Sequence, residues 1–298
     1  AGSDWRISYL ALGGDDLTNV AVGTAQRDAD TGNCSYTGLG FEPEALIIGS
    51  AGLTTTDGGS GNAGTSLGMA TGSSNQGVVA WESVDNQATS VTAGYGYDGE
   101  VAAYLYNDDI DMRDAFVSFG ADGFTLNQRE GVAQRYIHYV ALAGGQYEVG
   151  DLTTRTDGND IEENLAGSFQ PVAVLFASAN RALSTQDTST AHGKMSVGAG
   201  TATDERAAQA VYAKDNVATA LTTYSNQDDA VYIHLTDDAV DALMDLKSID
   251  ADGFTCVMDD TESSACWVTY LAIGAAAGSE SPSESPSESP SESPSESP

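Results

Sequence analysis

The chain has 298 residues, of which 41% are hydrophobic, enough for two ordinary domains with packed cores and too many for wholesale disorder. Forty-four acidic residues against eleven basic ones give a net charge of −33, which argues against direct binding to nucleic-acid phosphate. No apolar run approaches the roughly 20 residues that a membrane-spanning helix needs.

The N-terminal stretch Ala1–Leu10 does not read as a basic and then apolar signal segment. Only three lysines occur (Lys194, Lys214, Lys247), and Asp is about twice as frequent as Glu. That pairing favours adaptation to molar salt, where the Debye length is about 3 Å and self-repulsion is screened. An ordinary acidic, highly soluble protein is the plainer alternative.

In chain order, short β-branched or aromatic runs bounded by Gly, Asp or Asn predict strands at Ala45–Ile48, Phe124–Leu126, Ile137–Leu142, Val172–Phe176 and Val231–Leu235. Asp122-Gly123 and Asp252-Gly253 are turn signals that each feed a strand. Ala239, Val240, Leu243 and Leu246 fall near helical spacing and make Asp237–Leu246 a weak helix candidate. The last twenty residues, Ser279–Pro298, are five copies of Ser-Glu-Ser-Pro, a composition that forms neither core nor helix and reads as an extended, disordered tail.

The body carries an internal repeat. Phe41-Glu42-Pro43 matches Phe169-Gln170-Pro171, Asp85-Asn86 matches Asp215-Asn216, and Asp122-Gly123-Phe124-Thr125 matches Asp252-Gly253-Phe254-Thr255. Trp5–Gly13 has later copies at Tyr136–Ala143 and Trp267–Gly274, which align Tyr9, Tyr139 and Tyr270. The period is about 130 residues. The expectation is an all-β chain of two tandem homologous β-sandwich or jelly-roll-like domains, 1–143 and 144–278, followed by the tail at 279–298. No flexible linker separates the two, which predicts a stiff two-domain rod.

Chemistry-bearing patterns are sparse. Gly64-Thr65-Ser66-Leu67-Gly68 spells a nucleophile-elbow motif without its strand–turn–helix setting, so no catalytic residue is assigned. The histidines His138, His192 and His234 show no zinc-ligand spacing, and His138 and His234 read as sheet-face residues. Asp108-Asp109 and Asp237-Asp238 follow the same strand in the two repeats and are a candidate calcium site, with solvated surface as the alternative. Calcium is the one candidate cofactor. Cys256 and Cys266 lie symmetrically about Thr261; an antiparallel hairpin there would pair them in a disulfide and imply an extracellular location, leaving Cys34 over. Tyr95, Tyr97, Tyr104 and Tyr106 alternate with other residues as a candidate contact face for carbohydrate or protein.

The order of Gly40–Pro43, Asp122–Thr125 and Tyr139–Ala141, repeated at Ser168–Pro171, Asp252–Thr255 and Tyr270–Ala272, resembles repeat domains in structural proteins of tailed viruses. Ser168 departs from the glycine of that pattern. The resemblance implies a non-enzymatic virion surface component, such as a tail fibre, spike or capsid turret, and supplies no catalytic residues. With the acidic composition it implies a virus of a halophilic archaeon. Its partners would be further copies of itself, favouring a trimer, other virion proteins, and a host cell-surface glycan; neither nucleic acid nor membrane insertion is expected. A secreted halophilic glycan-active enzyme and a cellular adhesin or lectin are the competing readings.

Overall fold

The computed structural model describes residues 8–56, 62–84, 87–131, 134–185, 189–219, 221–237 and 239–277. The Ser-Glu-Ser-Pro tail, Trp5 and Asp238 lie outside the described residues. Strands in the first half are β1 (Asn19–Gln26), β2 (Gly32–Thr37), β3 (Ala45–Ser50), β4 (Ala63–Gly72) and β5 (Asn75–Val84). They continue as β6 (Val91–Tyr97), β7 (Ala102–Tyr106), β8 (Asp109–Gly120), β9 (Gly123–Glu130) and β10 (Tyr136–Ala143). The second half holds β11 (Gln146–Thr153), β12 (Asp160–Asn164), β13 (Pro171–Ser178), β14 (Thr190–Ala191), β15 (Gly193–Ala202) and β16 (Glu205–Ala213). It ends with β17 (Thr222–Gln227), β18 (Tyr232–Thr236), β19 (Ala239–Asp250), β20 (Gly253–Asp260) and β21 (Trp267–Gly274). The protein is all-β, with no helix among the described residues.

Each half opposes a large sheet to a small one, in a sandwich-like arrangement. The large sheet of the first half runs β1-β10-β3-β4-β5-β6, and that of the second runs β11-β21-β13-β15-β16-β17. The small sheets run β2-β9-β8-β7 and β12-β20-β19-β18. Strand for strand, the two orders are the same apart from β14, which adds to the edge of β6.

The irregularities repeat as well. Register slips fall between Ala70 and Gly72 and between Gly200 and Ala202 in the large sheets, and between Tyr104 and Leu105 and between His234 and Leu235 in the small ones. Close approaches recur too. A Cβ on Gly68 would lie 1.8 Å from the Val101 carbonyl oxygen, and one on Gly198 would lie 2.1 Å from that of Val231. Only glycine fits there. Gly68 is the last glycine of the elbow-like motif, whose five residues lie inside β4. Packing, rather than nucleophile placement, explains that glycine.

The helix candidate is a strand. Ala239–Asp250 forms β19, paired with β18 on one side and β20 on the other. Its extra residues at the slips shift the alternation of apolar positions, so a period of two reads locally as three or four. Phe124 and Phe254 anchor the two inner cores, each packed edge-on against a tyrosine of the closing strand, Tyr139 or Tyr270, at ring-centroid distances of 5.2 and 5.0 Å.

The halves are not strung end to end as a rod. A third apolar cluster draws Ala45, Met69, Val79 and Leu142 from the first large sheet and Val149, Ala177, Met195, Trp267 and Leu271 from the second. The two large sheets therefore face each other across a shared apolar layer, and the small sheets lie outermost. Polar bonds along its margin reinforce the layer: Asn75 Nδ2 donates to the Val149 carbonyl at 3.2 Å, and Thr92 N donates to Asp215 Oδ1 at 3.0 Å. Leu10 and Leu12, from the N-terminal copy of the closing strand, pack on this layer without forming a strand.

Candidate functional site

The register slip in β18 positions the site. His234 pairs with Ala242 and Leu235 with Val240, so Asp241 is the extra residue of a β-bulge, a feature that re-aims neighbouring side chains. His234 consequently points to the end of the sandwich where the chain enters β21. There His234, Glu262 and Cys266 bring one nitrogen, one oxygen and one sulfur within 4.8 Å of one another, all three residues being buried.

Thr154 at the end of β11 ties this end together. Its N–H donates to the Cys266 carbonyl at 2.9 Å, and its hydroxyl accepts from Cys266 N at 2.7 Å while donating to Glu262 Oε2 at 2.8 Å. The Tyr232 hydroxyl donates to the other carboxylate oxygen, Oε1. Burial alone would push the Glu262 carboxyl up, but the groups of His234, Tyr232, Cys266 and Thr154 around it outweigh burial and hold it below the usual range. Glu262 is a buried anion.

Lys194 Nζ lies 2.9 Å from His234 Nε2. An ammonium only donates, so that bond assigns the imidazole proton to Nδ1. Nδ1 faces Glu262 Oε1 at 3.5 Å and Asp241 Oδ2 at 3.9 Å and makes no hydrogen bond. Burial lowers the Lys194 ammonium from its ordinary value, and nearby Arg181 adds to the effect. The Cys266 thiol is pushed up to about 12, first by burial and then by the Glu262 charge. In this state it is no nucleophile.

The equivalent end of the first half is built from other side chains on the same backbone bonds. Arg27 N donates to the Arg135 carbonyl at 2.9 Å, matching the bond from Thr154 to Cys266. Arg135 thus stands where Cys266 does, and Tyr104 occupies the bulge position of His234. The Arg135 guanidinium covers the Tyr104 ring at 4.4 Å and pairs with Asp111, the extra residue of that bulge. Behind it, Arg27 reaches Asp114 through Nε at 2.7 Å and Nη2 at 2.5 Å, with both side chains fully buried.

The residues predicted from sequence fall elsewhere. Asp108 is exposed in the β7–β8 turn with φ 64°, and Asp109 Oδ1 accepts from the next residue's N–H at 2.9 Å. Asp237, at the matching turn, is taken by Lys214 Nζ at 2.7 Å and the Tyr212 hydroxyl at 3.0 Å. Neither Asp108, Asp109 nor Asp237 belongs to a cluster of three or more metal-capable groups among the described residues. The hairpin expected to join Cys256 to Cys266 does not form, because β20 and β21 belong to opposite sheets. Cys34, Cys256 and Cys266 are free thiols. Cys256 is a core residue opposite Leu246 and Ile161.

The four tyrosines do not share a face. Tyr95 is fully buried and donates to Glu100 Oε2 at 2.9 Å, Tyr97 stacks on it, Tyr104 lies under Arg135, and Tyr106 alone is exposed. Sequence reasoning missed the His234–Glu262–Cys266 group because His234 lies on a strand far from the loop that carries Glu262 and Cys266. The only available signal was a histidine at the bulge position that the other repeat fills with Tyr104.

A cavity of about 570 Å³ opens between the N-terminal segment and β15–β16, lined by Tyr9, Leu10, Leu175, Val197, Glu205 and Arg206. Its one carboxylate, Glu205, accepts from the Thr201 hydroxyl at 2.9 Å, so it presents no opposed acid pair. Ser66 is buried within β4. No family model, curated protein or solved structure matches this chain.

Proposed function

We propose that the protein is a non-enzymatic structural component displayed at a virion surface in molar salt. The observation that carries this reading is the apolar layer shared by the two large sheets, which packs the halves on each other and leaves no cleft between two lobes to close about a substrate. The chemistry-bearing groups support it, since His234, Glu262 and Cys266 are buried and the cavity beside Tyr9 lacks opposed acids. The resemblance of the motif order to tailed-virus structural repeats and the net charge of −33 support the same reading.

Assembly would use the edge strand β1, whose Val20 and Val22 are exposed, Val22 at 78%. With Tyr95 fully buried and Tyr104 covered by Arg135, recognition of a host glycan has little to stand on. A spacer that carries other virion proteins outward is the reading we put forward. Fractionation of virus particles in molar salt tests it: the protein should co-purify with particles as an oligomer, and Val22→Asp should weaken that oligomer. A monomer absent from particles would contradict the reading, and glycan hydrolysis abolished by Ser66→Ala would replace it with an enzyme.

A further inference from the structure

We propose that His234, Glu262 and Cys266 form a binding site for a thiophilic divalent cation of the zinc type, present in the second half only. The donor set is the first argument. One imidazole nitrogen, one carboxylate oxygen and one thiol sulfur suit zinc, whereas calcium and magnesium take oxygen ligands. The spacing is the second. Zinc bonds of about 2.0–2.3 Å place tetrahedral ligands roughly 3.3–3.8 Å apart. Atoms already within 4.8 Å need to close by only about an ångström, and β18 and the loop from β20 to β21 hold them in place.

His234 is 92% buried, and its Nδ1 faces Glu262 Oε1 at 3.5 Å and the bulge residue Asp241 at 3.9 Å without a hydrogen bond of normal geometry, one of five buried side-chain atoms so placed among the described residues. A cation at this point uses that nitrogen. The outer contacts are those of a built site: Tyr232 and Thr154 fix both oxygens of Glu262, and Thr154 also holds the backbone of Cys266. Asp241, partly exposed at 3.9 Å from Nδ1, supplies a fourth ligand or hydrogen-bonds a water that does.

The first half shows what this end of the scaffold requires. There a guanidinium, Arg135, meets the bulge carboxylate Asp111. The second half keeps the bulge carboxylate, adds Glu262, and has a thiol where the guanidinium stood. Coordination releases one proton, from the Cys266 thiol to solvent, and then three negative groups (Glu262, Asp241 and the Cys266 thiolate) face the dication, the Lys194 ammonium and the nearby Arg181 guanidinium. Lys194 is the competitor, since coordination through Nδ1 moves the ring proton to Nε2 and turns the ammonium away from it. The Tyr212 ring, 5.3 Å from Nζ, is already in reach.

The test is titration of the full chain, stripped with a chelator and kept in molar salt, with cobalt(II) as a spectroscopic probe and zinc as competitor. The expected result is one equivalent of cobalt with tetrahedral visible bands and a sulfur-to-metal charge-transfer band, displaced by zinc. Cys266→Ser should lose the charge-transfer band, Cys256→Ser should keep it, and Thr154→Val should weaken binding about 10-fold. Lys194→Met should tighten it. Circular dichroism on each variant separates lost binding from lost folding. Absence of cobalt and zinc binding by the folded wild-type chain would overturn the proposal, as would a charge-transfer band that survives Cys266→Ser.

Discussion

The two halves share a backbone plan and differ in what they bury at the same end of it. Arg27 and Thr154 make matching backbone bonds to Arg135 and Cys266. Behind that bond the first half seals a fully buried guanidinium against Asp114, while the second holds Glu262 with hydroxyl donors from Thr154 and Tyr232. Glu262 has no bidentate guanidinium partner; it faces His234 Nδ1 at 3.5 Å, with the Lys194 ammonium behind that ring. The comparison teaches that the bulges, close glycine contacts and closing strand define the scaffold, and that its polar interior is interchangeable within it. Each half leaves one buried nitrogen unpaired at this end, Arg135 Nε in the first and His234 Nδ1 in the second, and the halves differ in the groups that surround it.

The sharpest way to break the comparison is to remove one partner on each side. Arg27→Ala strands Asp114, a carboxyl that burial already raises despite its guanidinium, and should cost about 3–5 kcal/mol. Thr154→Ala removes one neutral donor from Glu262 and should cost about 1–3 kcal/mol. Denaturant unfolding of both variants decides it, and equal losses would mean that the two ends are energetically alike.

Next in size are paired glycine substitutions, which probe the shared scaffold. Gly68→Ala and Gly198→Ala each drive a Cβ into a backbone carbonyl and should destabilise by similar amounts, about 1–3 kcal/mol. Thermal melts showing one tolerated and one damaging would contradict structural equivalence of β4 and β15.

Much of this scaffold was legible in the sequence because its repeats fall on residues with one geometric job. Phe124 and Phe254 occupy equivalent strands, as do Tyr139 and Tyr270, and Gly123 and Gly253 meet a neighbouring carbonyl that no Cβ clears. The site was not legible. Glu262 looked like part of a hairpin turn, and symmetry about Thr261 suggested that Cys256 and Cys266 meet, but the chain there crosses between sheets. Bulges hid β19 in the same way, by breaking the alternation that marks a strand. The face-to-face contact of the large sheets left no sequence signature either, since strands apolar on both faces read alike whichever layer they meet.

A pH dependence divides the molecule differently. Burial pushes Glu82 and Glu100 in the first half and Glu163 in the second up to about 7. Between the unfolded value of about 4.5 and 7 the folded chain holds more protons than the unfolded one, so stability rises as pH falls through that window and is lost as pH rises through 7. Surface repulsion changes in the same direction but is screened at high ionic strength. Melting temperatures at pH 5 and pH 8 should therefore still differ in about 3 M salt. A difference that vanishes there would assign the effect to the surface alone.

The central claim is that both halves form one body through the layer around Met69, Val79, Trp267 and Leu271. Native-state hydrogen exchange resolved by strand tests it most directly, by comparing β9 with β20, which lie in opposite outer sheets. The account predicts that their most protected amides exchange through a common opening, with equal free energies that fall together in Leu271→Ala. Two separate opening energies, with only β20 responding to Leu271→Ala, would contradict it.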